Sequence, residues 1–381
     1  NDLLFDFVDC EIAAVRAVNP DIPVNTNFMR YWEIDYKRLA DKLDVVSWDN
    51  YPEWHSNEDE FGATVETAMF HSQFNSMKKD RPFMMMESSP SATNWQAISK
   101  LRRPGMHLLS SMQAVAHGSD TVQYFQWRKS RGQSEQFHGA VVSHDNSSDT
   151  RVFRDVTKVG ETLKDIREVC GSLTQNEVAI LFDYDSLWSL RIAQAYRNAE
   201  EAKGFYRILE KNYGALWQLN VGTDFVYEQD DFSQYKVIIA PMLFMLKSNV
   251  KEKIERFVEN GGIFVATFAS GVVDEYGLSF FDEACYPLRK LLGVKAEETD
   301  SLYDGQSNSV DMLGSTYRVS SYCELAYAEG VEVIGVVWPE GNKDKIYRYD
   351  PNGEKLEESD VVLVPTYSGE ERGEVEREAE V

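Results

Sequence analysis

Between residues 1 and about 170 the chain alternates helix-period segments with short apolar runs that end abruptly in polar residues, which is the grammar of a parallel α/β sheet. Four such units can be counted. Leu4, Val8, Ile12 and Val15 share one helical face, Asn19-Pro20 breaks the helix, and Ile22 to Asn27 reads as a short strand. A helix near Tyr36 to Lys42 precedes the run Val45-Val46-Ser47-Trp48-Asp49. Phe61, Val65, Ala68 and Met69 mark a third helix, with Lys78-Lys79 near its end and Pro82 beyond; Phe83-Met84-Met85-Met86 then reads as a continuous buried strand whose methionines are core. The fourth unit runs from a helix over Met106 to His117 into the strand Thr121 to Gln126, and a last helix carries Val156, Val159, Leu163 and Ile166. Four strands cannot close a (β/α)8 barrel, which needs about 250 residues. The expectation is an open sheet or the second half of a TIM barrel.

Near Gly171 the pattern restarts. Val178 to Phe182 is a strand, followed by a long helix-like stretch to about Leu219. Val237 to Pro241, a helix bearing Val250, Ile254, Phe257 and Val258, a cap at Asn260-Gly261-Gly262, and Ile263 to Ala266 form a βαβ unit. The expected division is 1–171, the open sheet or half barrel; 172–335, a flavodoxin-like α/β domain; and 336–381, a tail in which the signal decays, with a turn at Tyr349 to Gly353 and an acidic run from Glu370.

A formal net charge of −24 repels polyanions, and no basic patch offsets it, so nucleic acid and anionic membrane surfaces are not expected partners. No run approaches the roughly 18 apolar residues of a spanning helix. Cys10, Cys170, Cys285 and Cys323 lack CxxC spacing and are expected to be free and mostly buried thiols rather than a zinc site or redox pair. The opening residues carry neither Met nor the basic region of a signal peptide, so a cytoplasmic chain that begins after its natural start is expected.

In parallel barrels the chemistry sits at the C-terminal strand ends, because the packed interior leaves only that rim to form a pocket. The strand-end residues here are Asn25 and Asn27; Trp48, Asp49 and Tyr51; Glu87; and Gln126, Trp127 and Arg128. Amides, carboxylates and aromatic rings suit a sugar, whose C–H faces stack on rings and whose hydroxyls need polar partners. Glu87 directly after four apolar residues carries a desolvation cost that function or a partner must offset; pairing with an arginine or capping the Ser88-Ser89-Pro90 turn are the plain alternatives. Trp48 and Tyr51 either shape a pocket or pack, and Arg128 and Arg131 read more readily as ion-pair partners than as catalytic groups.

The segments FMMMESSPSATNWQ, KLRRPGMHLLSSMQAVAHGSDTVQYFQWRKSRGQSEQFHGAVV and DVVSWDNYPEWH closely resemble the glycoside hydrolase family 42 β-galactosidases, over roughly residues 1–330. The resemblance implies a retaining β-galactosidase with Glu87 as nucleophile, Trp95 lining the galactose subsite, and Glu135 and His138 contacting sugar hydroxyls. It also implies that residues 1–171 are the second half of the TIM barrel, that 172–335 resemble the family's trimerisation domain, hence a homotrimer with a galactoside substrate, no cofactor and no metal carried over, and that 336–381 are a diverged or truncated tail.

The family's general acid/base is an Asn-Glu pair at the end of the fourth strand, which the resemblance places ahead of residue 1. Asn57-Glu58 and Asn176-Glu177 fall elsewhere and are read as coincidences. Losing general acid catalysis costs about 10²–10⁴-fold, so this chain alone is expected to be a poor catalyst. The rival reading is a catalytically incomplete galactoside-binding or oligomerisation module. An amidotransferase-like enzyme would need a His after Cys285 or Cys323, and His144 is the last in the chain.

Overall fold

The computed structural model describes residues 1–54, 60–194, 204–281, 287–303, 305–312, 315–319, 322–329 and 335–339. The chain separates into two compact units, one of residues 1–180 and 213–235, the other of residues 181–212 and 236–381.

In the first unit the order is α1 (Asp2–Val18), β1 (Asn27–Phe28), α2 (Tyr36–Lys42), β2 (Ser47–Asn50), α3 (Glu60–Ser76), β3 (Phe83–Ser88), α4 (Met106–Ala116), β4 (Ser119–Val122) and α5 (Arg151–Asp165). β1, β2, β3 and β4 lie side by side in that order, all parallel. β5 (Val178–Leu181) and β6 (Thr223–Val226) are hydrogen-bonded neighbours. The helices start where the sequence offers caps: Asp35 accepts from the Arg38 amide ahead of α2, and Thr150 from the Phe153 amide ahead of α5.

The core of this unit is aromatic. Trp48, 1% exposed, lies between Phe70, His71 and Phe74, with its ring centroid 5.0 Å from that of Phe74. Phe28 and Tyr36 extend the cluster at 4.6 Å. The Trp48 indole donates to His71 Nδ1 at 3.2 Å, and burial holds that imidazole well below its ordinary pKa, neutral and able to accept. Trp48 is therefore a packing residue, and only the packing half of the expectation for it survives.

α3 is buried almost all round, polar residues included, because it is covered on more than one side. Ser76 Oγ accepts from the Phe225 amide of β6 at 2.8 Å and donates to the Ser72 carbonyl at 2.7 Å. Ser72 Oγ lies 2.8 Å from the Tyr213 hydroxyl. Both serine hydroxyls are thus hydrogen-bonded, so their burial carries little desolvation cost.

Several boundaries differ from the sequence reading. The expected strand over Ile22 to Asn27 shrinks to Asn27–Phe28, since Pro23 has no amide to give a neighbour. β4 stops at Val122. α1 buries only Phe5, leaving Leu4 and Val15 of the expected face exposed. Met85 is buried, but Met84 and Met86 are half-buried because their face of β3 is only partly covered among the described residues. Cys10 and Cys170 are exposed rather than buried, the first in the middle of α1 and the second at the end of the turn after α5.

The second unit contains α6 (Tyr184–Ile192), α7 (Phe205–Gln218) as far as Asn212, β7 (Val237–Ala240), α8 (Ser248–Glu259), β8 (Ile263–Ala266) and α9 (Arg289–Leu292). α6 and α7 replace the single long helical stretch that the sequence suggested. β7, α8 and β8 make the expected parallel βαβ unit: Val250, Ile254 and Phe257 are buried, and Gly261 ends the helix at φ +91°. The antiparallel strands β9 (Val294–Ser301), β10 (Asn308–Met312), β11 (Ser315–Val319), β12 (Tyr322–Ala328) and β13 (Gly335–Pro339) had no counterpart in the sequence reading, since runs such as VKAEETDS are too polar to stand out. Asn57-Glu58, Cys285 and nearly all of the 336–381 tail lie outside the described residues, as does the side chain of Cys323.

Candidate active site

The carboxyl ends of β2 and β3 bring two acids together. Asp49 and Glu87 are register partners on neighbouring parallel strands. Asp49 is 6% exposed; its Oδ2 accepts from Asn27 Nδ2 at 2.6 Å, while Oδ1 has no partner among the described residues. Burial, with the Glu87 charge adding to it, pushes the Asp49 carboxyl up to about 6 against the lowering effect of Asn27.

Tyr51, just past the end of β2, joins the remaining groups. Its hydroxyl donates to Glu87 Oε2 at 2.6 Å. Its ring meets Trp95 edge-on at 5.4 Å and His138 at 5.9 Å. Burial first, then the hydrogen bond and charge of Glu87, then Asp49 and Glu135, raise the Tyr51 hydroxyl far above its ordinary pKa, so it stays a donor at any working pH. Glu135 Oε2 is buried without a partner among the described residues. Glu87, Trp95 and His138, on separate loops in sequence, thus touch one phenol, and the Glu135 charge acts on it.

Local packing fixes those loops. Gly139 is held between them: its amide donates to the Ala92 carbonyl at 2.8 Å, and a Cβ there would fall 2.8 Å from that same oxygen and from Ser91 Cβ. Asn94 donates to the Ser134 carbonyl, and Gln96 Nε2 to the Tyr51 carbonyl at 3.0 Å, tying the Trp95 loop to both sides. His138, 1% exposed, faces the Gly139 carbonyl through Nδ1 at 3.0 Å; a carbonyl only accepts, so Nδ1 carries the donated proton and Nε2 is left for an incoming hydroxyl. Trp95 is 57% exposed, an unusual state for an indole beside buried acids and a ready platform for an apolar sugar face.

Of the other strand-end residues, Asn25 is exposed, Trp127 lies at the rim against Phe153, and Arg128 donates to Asn146 rather than reaching the acids. Arg102 was not singled out from the sequence. It is buried, donates to Ser88 Oγ at 3.4 Å and Ser110 Oγ at 3.3 Å, and burial lowers it to about 10 while leaving it charged. Its signal lay inside the KLRRPGM stretch, where neighbouring arginines hid which one turns inward.

Comparison with known proteins identifies what the chain as a whole is similar to. Residues 1–166 match the family described as beta-galactosidase, and residues 176–345 the beta-galactosidase trimerisation domain. Beta-galactosidase Pbg of Clostridium perfringens is 48% identical over 341 residues, covering 86% of this chain and 49% of the relative. Beta-galactosidase BglY of Alicyclobacillus acidocaldarius is 46% identical over 343 residues, covering 88% and 49%. The solved structure of the cold-adapted beta-galactosidase from Rahnella sp. R3 superposes with a TM-score of 0.85 at 44% identity, covering 88% of this chain and 50% of that one. The chain spans about half the length of the curated relatives it matches. The likeness to full-length enzymes implies a TIM-barrel-type fold with a trimerisation domain. On strand order, site and sequence together, the chain belongs to the glycoside hydrolase family 42 β-galactosidases.

Proposed function

We propose that this chain carries the nucleophile side of a retaining β-galactosidase active site. Ionised Glu87 attacks the anomeric carbon of a terminal β-D-galactoside, the bond to the leaving oxygen breaks, and a galactosyl ester forms that water later hydrolyses. Trp95 borders the sugar ring, Glu135 and His138 hold its hydroxyls, and Tyr51 fixes the attacking carboxylate. The observation that carries this reading is the Tyr51 contact set, which gathers Glu87, Trp95 and His138 in one place, with the Glu135 charge acting on the same phenol. The second carboxyl group, about 5–5.5 Å from the first in retaining enzymes, is assigned to the part of the relatives' length that this chain does not span.

The same reading takes 1–171 as the second half of a barrel, 172–335 as a flavodoxin-like trimerisation domain and the assembly as a cytoplasmic homotrimer that needs no cofactor. No helix among the described residues is long and apolar enough to cross a membrane.

An aryl β-galactoside with fluorine in place of the 2-hydroxyl and a strongly acidic dinitrophenol leaving group needs no general acid to react. Intact-mass and peptide spectrometry should find one fluorogalactosyl ester, on Glu87, and none in Glu87→Gln. Galactose binding without any labelling would instead leave the chain as a binding or oligomerisation module, and labelling at another residue would overturn the assignment.

A further inference from the structure

A second polar hollow lies in the first unit, away from the strand ends that hold Glu87. It has a volume of about 210 Å³ and is formed where the C-terminal ends of α3 and α4 meet residues 174–176 and 213–224. These are the turns that lead into β3 and β4, whereas Glu87 sits where β3 ends. At about 30 Å³ per water the hollow holds roughly seven waters. It falls below the roughly 300 Å³ at which drug-sized pockets begin, which suits one small polar molecule.

Its walls are prepared for hydroxyl groups. Asn75 gives its NH2 to Thr174 Oγ1 at 2.9 Å, and Asn176 gives its NH2 to Asp224 Oδ1 at 2.6 Å. Each amide is thereby oriented, and Asn75 keeps its carbonyl oxygen as acceptor while lying flat on Gly118, where a Cβ would fall 2.6 Å from Oδ1. Asn176 instead points its Oδ1 at Gly222, where a Cβ would strike it. Ser72 is held from two sides, by His117 Nδ1 at 3.0 Å and by the Tyr213 hydroxyl at 2.8 Å. Trp217 supplies an aromatic wall, braced edge-on by Phe61 at 5.6 Å, and Asn220 is exposed at the mouth.

The charges exclude an anion. No Lys or Arg among the described residues lines the hollow, and burial lowers His117 to about 4, so its imidazole is neutral. Asp224 is the one lining acid; its two oxygens are taken by Asn176 and by the Tyr235 hydroxyl at 2.9 Å. What remains is an uncharged set of amides and hydroxyls beside an indole, the composition that recognises a neutral polyhydroxylated ring.

We propose that this hollow is a second, non-catalytic binding site for a neutral monosaccharide. Occupancy would bridge α3, α4 and the 213–224 segment and so stabilise the first unit by mass action.

The test uses the whole 381-residue chain carrying Glu87→Gln and Trp95→Ala, which weakens the candidate active site; Glu135 and His138 remain there, so binding is assigned to the hollow only by its loss in the hollow variants. Ligand-observed NMR with galactose should show saturable binding in the millimolar range and a rise in melting temperature with sugar. Adding Asn75→Leu should weaken binding at least tenfold. Because that change could disturb folding, Asn220→Gly is run beside it: glycine keeps the positive φ of 55° and removes only the rim amide, and a several-fold loss is expected. Absence of saturable binding in the double variant, unchanged binding in both hollow variants, or glycerol competing as well as galactose would overturn the proposal. The labelling of Glu87 is read separately, so either idea can fail without the other.

Discussion

Replacing Asp49 by Asn should stabilise the first unit near neutral pH, and the gain should vanish in acid. The carboxyl is 6% exposed, has one oxygen without a partner among the described residues, and lies in register with a second acid. Its pKa stands at about 6 in the folded chain against an ordinary 3.8. Between those values the folded state keeps a proton that the unfolded chain has released. Stability therefore falls as pH rises through the window and levels off above about 6. At about 1.36 kcal/mol per pH unit the ceiling is roughly 3 kcal/mol, and partial solvent access to the cleft reduces this to about 1–3 kcal/mol. Asn mimics the protonated acid in shape and can still accept from Asn27. Urea unfolding followed by tryptophan fluorescence, run on parent and variant from about pH 4 to pH 7, should give curves that meet at the acid end and diverge by that amount at the other. A constant gap, or a variant less stable than its parent at neutral pH, would show that Asp49 is not held protonated by its surroundings.

Tyr51→Phe keeps the ring contacts with Trp95 and His138 but deletes the bond to Glu87, and should cost about 1–2 kcal/mol in the same unfolding assay, given roughly 1.5–3 kcal/mol for hydrogen bonds to charged groups. Ser76→Ala strands the buried Phe225 amide and should lower stability by about 1–3 kcal/mol; an unchanged midpoint would mean that β6 does not depend on α3. Phe74→Ala empties the centre of the aromatic core and should cost about 3–5 kcal/mol by calorimetry or urea. Thr150→Ala removes the cap of α5 for about 1 kcal/mol, and Thr150→Ser should restore it.

Local pattern in the sequence was enough to place α2, α3, α4, α5 and the β7–α8–β8 unit, because each has a cap, a 3.6-residue apolar period or a short apolar run. Glu87 stood out for a local reason too: a carboxylate ending an apolar strand is costly without a purpose. What sequence could not supply was direction across distance. Trp48 and Tyr51 stand three residues apart in one motif, yet the pleat and the end of β2 send the indole into the α3 core and the phenol to Glu87. The partnering of Tyr51 with residues 87, 95 and 138 depends on three loops meeting over Gly139, and the hollow around Asn75 and Asn176 on segments about 100 residues apart. Such arrangements are set by packing between distant segments, a property of the folded state that no local period encodes, and so only the tertiary structure decided them.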